Sequence, residues 1–298
     1  SSYDNAAMAR SKDVAKAGKL SGLYLLGSMA PQILAMFALP VFTRYIAPEQ
    51  MGVVGLARQV LQPLCILLQL GLLSSLRSVY FRTPREERPR LIRTAGIGLI
   101  GSAGLLCAIL SVATPFLAEP LLPNLPLSVR QVRILWLMIV WQAFFSVIIQ
   151  LTVALLRLQE RAVPSVCLPM LQFVVQLAIG LILVVAFGGK GFARQGSILL
   201  GSIAAGVAAA VLLLRSSSGG FHLRHYLPLA RIGLSFAPHL LAGVLIVAAN
   251  SWLLNQKLSS DAMGLYAQAL KFTIVMQMMV MALSQATYPT LAMLMAED

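Results

Sequence analysis

Long apolar runs broken by short polar turns recur along the whole chain. Eight of them, at roughly 20–43, 52–76, 92–117, 134–156, 164–187, 196–214, 227–254 and 262–285, are near the 20 or so apolar residues that a helix needs to cross a hydrocarbon core. A membrane barrel would instead show shorter segments of strict alternation, and these are absent. The pattern predicts an all-α, polytopic helical membrane protein with about eight transmembrane helices. Pro31, Pro63, Pro169 and Pro238 fall inside runs, where neighbouring helices can satisfy the freed backbone groups, so kinks are expected there rather than ends. The block Ser28 to Ala35, SMAPQILA, returns as SFAPHLLA at Ser235 to Ala242, and the turns that follow close on Met51-Gly52 and Met263-Gly264. The chain is therefore read as two related halves, with the first and seventh runs six spans apart and equally oriented.

Composition agrees: 298 residues, 58% hydrophobic and 11% charged, lie far from the averages of a water-soluble domain. Cys65, Cys107 and Cys167 each stand alone in a different run, which suggests buried small hydrophobes and neither a disulfide framework nor a metal site. Residues 1–19 are polar and basic and begin without Met, so they read as a cytoplasmic N-terminal segment, with room for a start further upstream. With that end inside, the N-terminal segment and the even-numbered turns hold fifteen of the 23 cations and the odd-numbered turns six, as the positive-inside rule requires. The net charge is +13, and no nucleic-acid partner is expected. The stretch TPREERPRLIR, Thr83 to Arg93, reads as a solvated turn at headgroup level, with a lipid or partner site as its alternative. RSSSGGFHLRHY, Arg215 to Tyr226, reads as a flexible cytoplasmic linker. It divides a first lobe of six helices, 20–214, from the first two helices of a second lobe, 227–298.

The connections are short, which leaves no room for an aqueous catalytic domain. All ten carboxylates lie in turns, at helix ends or at termini, so the interior offers neither an acid–base pair nor a carboxylate relay. What it does offer is cations and amides. Arg58, Gln62 and Gln69 share one face of the second helix, and Gln268, Lys271 and Gln285 share an arc of the eighth. Ser28 and Gln32 share a face of the first helix, and Ser235, His239 and Asn250 a face of the seventh. Arg58 stands about 9 Å beyond Gly52, near enough to reach headgroups by extending its side chain, so cavity and anchor readings both stand. Lys271 lies deeper, where facing lipid costs at least about 2.5 kcal/mol. For His239 and the glutamines, interhelical hydrogen bonding competes with substrate contact.

The stretch GLYLLGSMAPQILAMFALPVFTRYIAPEQMGVVGLARQV, with Arg44 and the Pro48 to Gly52 spacing, resembles the start of bacterial polysaccharide flippases of the O-antigen type. MGLYAQALKFTIVMQMMVMALSQATYPTLAML, Met263 to Leu294, resembles their Gly-x-Tyr helix and the aromatic-Pro elbow after it. Those flippases group with multidrug and toxin extrusion transporters and lipid II flippases in the multidrug/oligosaccharidyl-lipid/polysaccharide exporter superfamily. The resemblance implies two six-helix lobes related by an axis along the membrane normal. Eight helices fall short of twelve, so a truncated second lobe, or a departure from the family, is expected.

By the same resemblance the substrate is an undecaprenyl-diphosphate-linked oligosaccharide, moved by alternating access from the cytoplasmic to the periplasmic leaflet of a bacterial inner membrane in lipopolysaccharide O-antigen assembly. A diphosphate needs cationic partners in a low-dielectric cavity. Arg58 and Lys271 are the candidate phosphate partners, and Gln32, His239, Asn250 and Gln268 the candidate sugar contacts. Arg44 is a candidate for the exit path or a headgroup anchor. Partners would be the lipid-linked oligosaccharide and membrane lipids, with other polysaccharide-assembly proteins left open. No catalytic residue, metal or cofactor is expected, and a coupling cation is left open. The rivals are a drug or cation exporter of the same fold, which should carry acids in its cavity, and a membrane glycosyltransferase or polysaccharide polymerase, which should carry acids in a sizeable outer loop.

Overall fold

The computed structural model describes most positions from 30 to 257 and a few between 265 and 276. Helix α1 (Ile33–Tyr45) is apolar and short. Next come α2 (Pro48–Gln69), α3 (Leu72–Tyr80), α4 (Arg88–Val112), α5 (Thr114–Leu121), α6 (Val129–Leu158), α7 (Ala162–Leu181), α8 (Gly191–Arg215) and α9 (Leu223–Lys257). A wider π turn, Ile182–Ala186, extends α7. Six of these helices are long and apolar enough to cross a membrane, and the described residues contain no strand. Runs two to seven each contain one of the six. The start of the first run and almost all of the eighth lie outside the described residues.

Helices extend beyond the apolar runs because their polar ends are capped. Helix α6 starts at Val129 instead of 134: Ser128 accepts from the Gln131 backbone N–H at 3.4 Å while the Gln131 side chain accepts from Ser128 N–H at 3.0 Å, a reciprocal capping box. Its 30 residues span about 45 Å, so its ends project beyond a core of about 30 Å. Helices α2, α7 and α9 run through Pro63, Pro169 and Pro238, as the sequence predicts.

Two spans are broken where the apolar run is continuous. Between α4 and α5, Pro115 has no N–H to offer the Ser111 carbonyl, and the Thr114 hydroxyl takes that acceptor at 2.6 Å. Between α2 and α3, Leu70 (φ 47°) and Gly71 (φ 66°) are both left-handed, and the Leu70 N–H caps the Ile66 carbonyl at 3.2 Å. The cause of this second break lies elsewhere in the fold: Gly71 sits against the backbone of Gly233 on α9, where an added Cβ would fall on the Gly233 carbonyl.

Helix α6 is the centre, packing against α2, α4, α5, α7 and α8. Leu135, Trp136, Ile139, Val140, Ala143 and Val147 are buried, and the Trp136 indole N–H donates to the Leu110 carbonyl of α4 at 3.2 Å. Polar side chains pair inside: Gln195 with Gln142 at 2.6 Å, Gln172 with Ser202 at 3.0 Å, and Thr152 with the Ala209 carbonyl at 3.3 Å. The outside is apolar, Val112 and Phe116 each being 80% exposed. Polar groups paired within and large apolar groups outward are what a hydrocarbon solvent requires. Cys65 and Cys107 are buried as expected, whereas Cys167 is exposed on α7, where a small apolar thiol costs nothing against lipid.

The ends alternate as the spans require. Phe42, Ile46, Met51 and Val184 cluster at one end. At the other, Arg93 of α4 donates to the Leu214 carbonyl of α8 at 3.3 Å and the His222 N–H to Thr94 at 3.4 Å. The linker that the sequence presents as flexible is therefore held at its distal half. Its last residue, Tyr226, lies in the first turn of α9, with its ring beside Gly98 and its hydroxyl donating to Ser102 at 3.2 Å.

Candidate functional site

Helix α2 divides its faces sharply. Val53, Leu56, Ala57, Leu64, Cys65 and Leu68 are buried against the bundle, while Arg58, Gln62 and Leu67 are exposed. The predicted polar stripe is thus real but shared. Gln69, at its lower end, donates to Gln150 of α6 at 2.7 Å and so binds helix to helix. Among the described residues Arg58 makes no hydrogen bond and no ion pair. It is a permanent cation in the middle of a spanning helix, open and without a counter-charge among the described residues.

Helix α9 packs along α2 and α3 and runs antiparallel to them from the Gly71–Gly233 crossing. Measured from that crossing at 1.5 Å per residue, Arg58 stands about 20 Å up α2, and His239 about 9 Å and Asn250 about 25 Å up α9. Arg58 therefore lies between His239 and Asn250 in height. His239 is exposed and has no partner among the described residues. Asn250 lies on α9, but its side chain is outside the described residues, as are Gln32, Gln268 and Lys271. Arg44 is exposed near the end of α1. The structure thus brings Arg58 and Gln62 to one open face and α9 beside it; the pairing of Arg58 with Lys271 falls outside what it describes.

One interior cation was placed differently by the sequence. Arg194 reads there as an outer-turn residue, yet α8 begins at Gly191 and Arg194 belongs to its first turn. Its guanidinium lies 4.1 Å above the Phe42 ring and donates to the Gln176 carbonyl at 2.9 Å and the Ser197 hydroxyl at 3.0 Å. Gly180 leaves the space that it occupies. This arginine joins α1, α7 and α8, and only its three-residue spacing to Ser197 hinted at the role. Among the described residues no group of His, Cys, Asp and Glu is arranged to hold a metal ion.

Two solved structures share the fold at low identity. A MATE protein in complex with Br-NRF aligns with a TM-score of 0.60 and 18% identity, over 90% of this chain and 66% of that one. The lipid II flippase MurJ in an inward closed conformation aligns with a TM-score of 0.52 and 14% identity, over 75% of this chain and 48% of that one. The chain thus spans about two thirds or less of the length of these structures. No curated protein matches it. The polysaccharide biosynthesis protein family matches residues 18–295, nearly the whole chain, and the protein belongs to that family, with a fold like that of the MATE and MurJ structures.

Proposed function

We propose that the protein is a membrane flippase carrying an undecaprenyl-diphosphate-linked oligosaccharide from the cytoplasmic to the periplasmic leaflet of a bacterial inner membrane, in surface polysaccharide assembly of the O-antigen type. The observation that carries this reading is Arg58. A guanidinium that stays open and unpaired at mid-span is retained against a cost of at least about 2.5 kcal/mol if it meets only lipid. A water-filled cavity that receives an anion removes that cost, and the diphosphate of a lipid-linked sugar is the anion that the resemblance to polysaccharide flippases implies. Family membership supports the substrate class, and the fold shared with MurJ, a lipid II flippase by name, supports the transport reading.

In this reading positions 20–214 form one lobe, 215–226 connect it to the second, and α9 with the following helix contributes the facing wall. Arg58 and Lys271 hold the diphosphate, Gln32, His239, Asn250 and Gln268 meet sugar hydroxyls, and Arg44 lies on the exit path. Transport proceeds by alternating access, without covalent chemistry and without a resident cofactor. A cation exporter is disfavoured because Glu86, Glu87 and Glu119, the carboxylates with described side chains, are all exposed outside the six long helices.

The test is glycan display at the cell surface, with protein level in the membrane as control. Arg58→Gln and Lys271→Gln should each reduce display about tenfold or more, the scale of a lost charge-assisted contact. Arg58→Lys should keep part of it, since charge survives and the bidentate fork does not. Lys190→Gln, which removes a connecting cation, should change little. Near-normal display from the doubly neutralised protein at normal level would overturn the reading.

A further inference from the structure

At the end of the molecule that carries the α3–α4 turn, the structure holds a second cationic site, well away from Arg58. A cleft of about 310 Å³ opens between that turn and the start of α9, at the lower limit of ligand-cleft sizes. Arg82 and Arg90 line it from one side and Arg224 and His225 from the other, with Glu87 at the rim and the buried Leu229 in the floor. About 30 Å of helix along α2 and α3 separates it from Arg58.

Neighbouring cations in the same stretch are already committed. Arg88 donates to the Thr83 carbonyl at 3.1 Å and lies 4.9 Å over the Tyr80 ring, and Arg93 is tied to α8 through Leu214. Among the described residues the guanidinium groups of Arg82, Arg90 and Arg224 make no hydrogen bond and no ion pair, not even with Glu87 in the same cleft. The stem of Arg90 lies beside Gly219, whose backbone is left-handed at φ 90°. Three arginines left unneutralised around one concave, partly apolar space form a receptor for a multiply charged oxyanion, because guanidinium forks match its oxygens and the concavity limits screening. The three come from α9 on one side of the linker and the α3–α4 region on the other, so an anion seated there bridges the two.

We propose that this cleft binds a phosphoryl anion, presented either by a membrane lipid headgroup or by a soluble phosphate. The site stands apart from the transport reading, which concerns the open face of α2.

Native mass spectrometry of the detergent-purified, intact protein tests it, with sodium pyrophosphate and phosphatidylglycerol titrated separately. Arg90→Gln combined with Arg224→Gln should weaken the adduct about tenfold or more, as expected for two lost charge-assisted contacts. Arg85→Gln, an exposed arginine of the same turn outside the cleft, should leave it unchanged. Glu87→Gln should strengthen it, since the rim carboxylate opposes an anion. These side chains are exposed, and an unchanged melting temperature verifies that each variant folds. A pyrophosphate adduct with this dependence supports the site with soluble phosphate as a source, and a phosphatidylglycerol adduct alone with the same dependence supports it with the headgroup as the source. No adduct of either kind, equal weakening by Arg85→Gln, or loss on Arg58→Gln with the cleft variants unaffected would overturn it.

Discussion

A guanidinium inside a membrane protein must find partners, aromatic faces or water, and the arginines of this chain divide among those solutions. Arg194 takes the first two, with Phe42 beneath it and two hydrogen bonds to α7 and α8. Arg58 has neither and stays open. On the proposed function the contrast separates a structural arginine from a transporting one. Arg194→Gln should cost about 1–2 kcal/mol, the sum of a partly desolvated cation–π contact and a net hydrogen bond, seen as a lower unfolding temperature in detergent. Arg58→Gln should leave that temperature unchanged while abolishing display. If both variants melted alike, the distinction would fail. Arg58 stood out in the sequence because it is the lone charge inside its own apolar run. Arg194 was not, because Phe42 and Gln176 reach it only through the fold. The basic cleft was half legible: its arginines were visible as a cluster, but a solvated turn and a lined cavity look the same until α9 closes one side.

At the scale of the element, the period of the runs located every described span, while the breaks within spans divide by whether their cause is local. The α4–α5 break follows from Thr114 and Pro115 themselves. The α2–α3 break follows from Gly233 on α9, which no window around residue 70 contains. Gly71→Ala should therefore be severely destabilising: the left-handed backbone penalises a Cβ by about 1 kcal/mol or more, and the Gly233 carbonyl occupies its place. Gly196→Ala is the counter-case. Its Cβ would meet nothing within 4 Å, and a helical glycine replaced by alanine gains roughly 0.5–1 kcal/mol. The two unfolding midpoints should move in opposite directions. Movement of both in the same direction would show that the α2–α9 crossing is looser than the backbone contact indicates.

For the whole molecule, two independent features agree on how the spans alternate. The arginine-rich turns gather at one end of the chain's path, and the structure joins those turns physically, through Arg93 with Leu214, His222 with Thr94, and Arg90 against Gly219. The opposite end is joined through Met51, Val184 and the close approach of Gln50 to Gly191. Alternation fixes which turns lie together, and by the positive-inside rule the cation bias predicts which end faces the cytoplasm. Single cysteines introduced at the exposed positions Arg85 and Gly220, with Cys65, Cys107 and Cys167 replaced by Ala, should resist a membrane-impermeant thiol reagent in cells whose outer membrane is permeable to it. A cysteine at exposed Arg130 should react. Both inner-end positions must behave alike whatever the orientation, because the fold places them together, so a split between Arg85 and Gly220 would contradict the alternation itself. Labelling of both with protection of Arg130 would leave the fold intact, place the basic cleft outside the cell, and reverse the direction in which the lipid-linked substrate is proposed to travel relative to these ends.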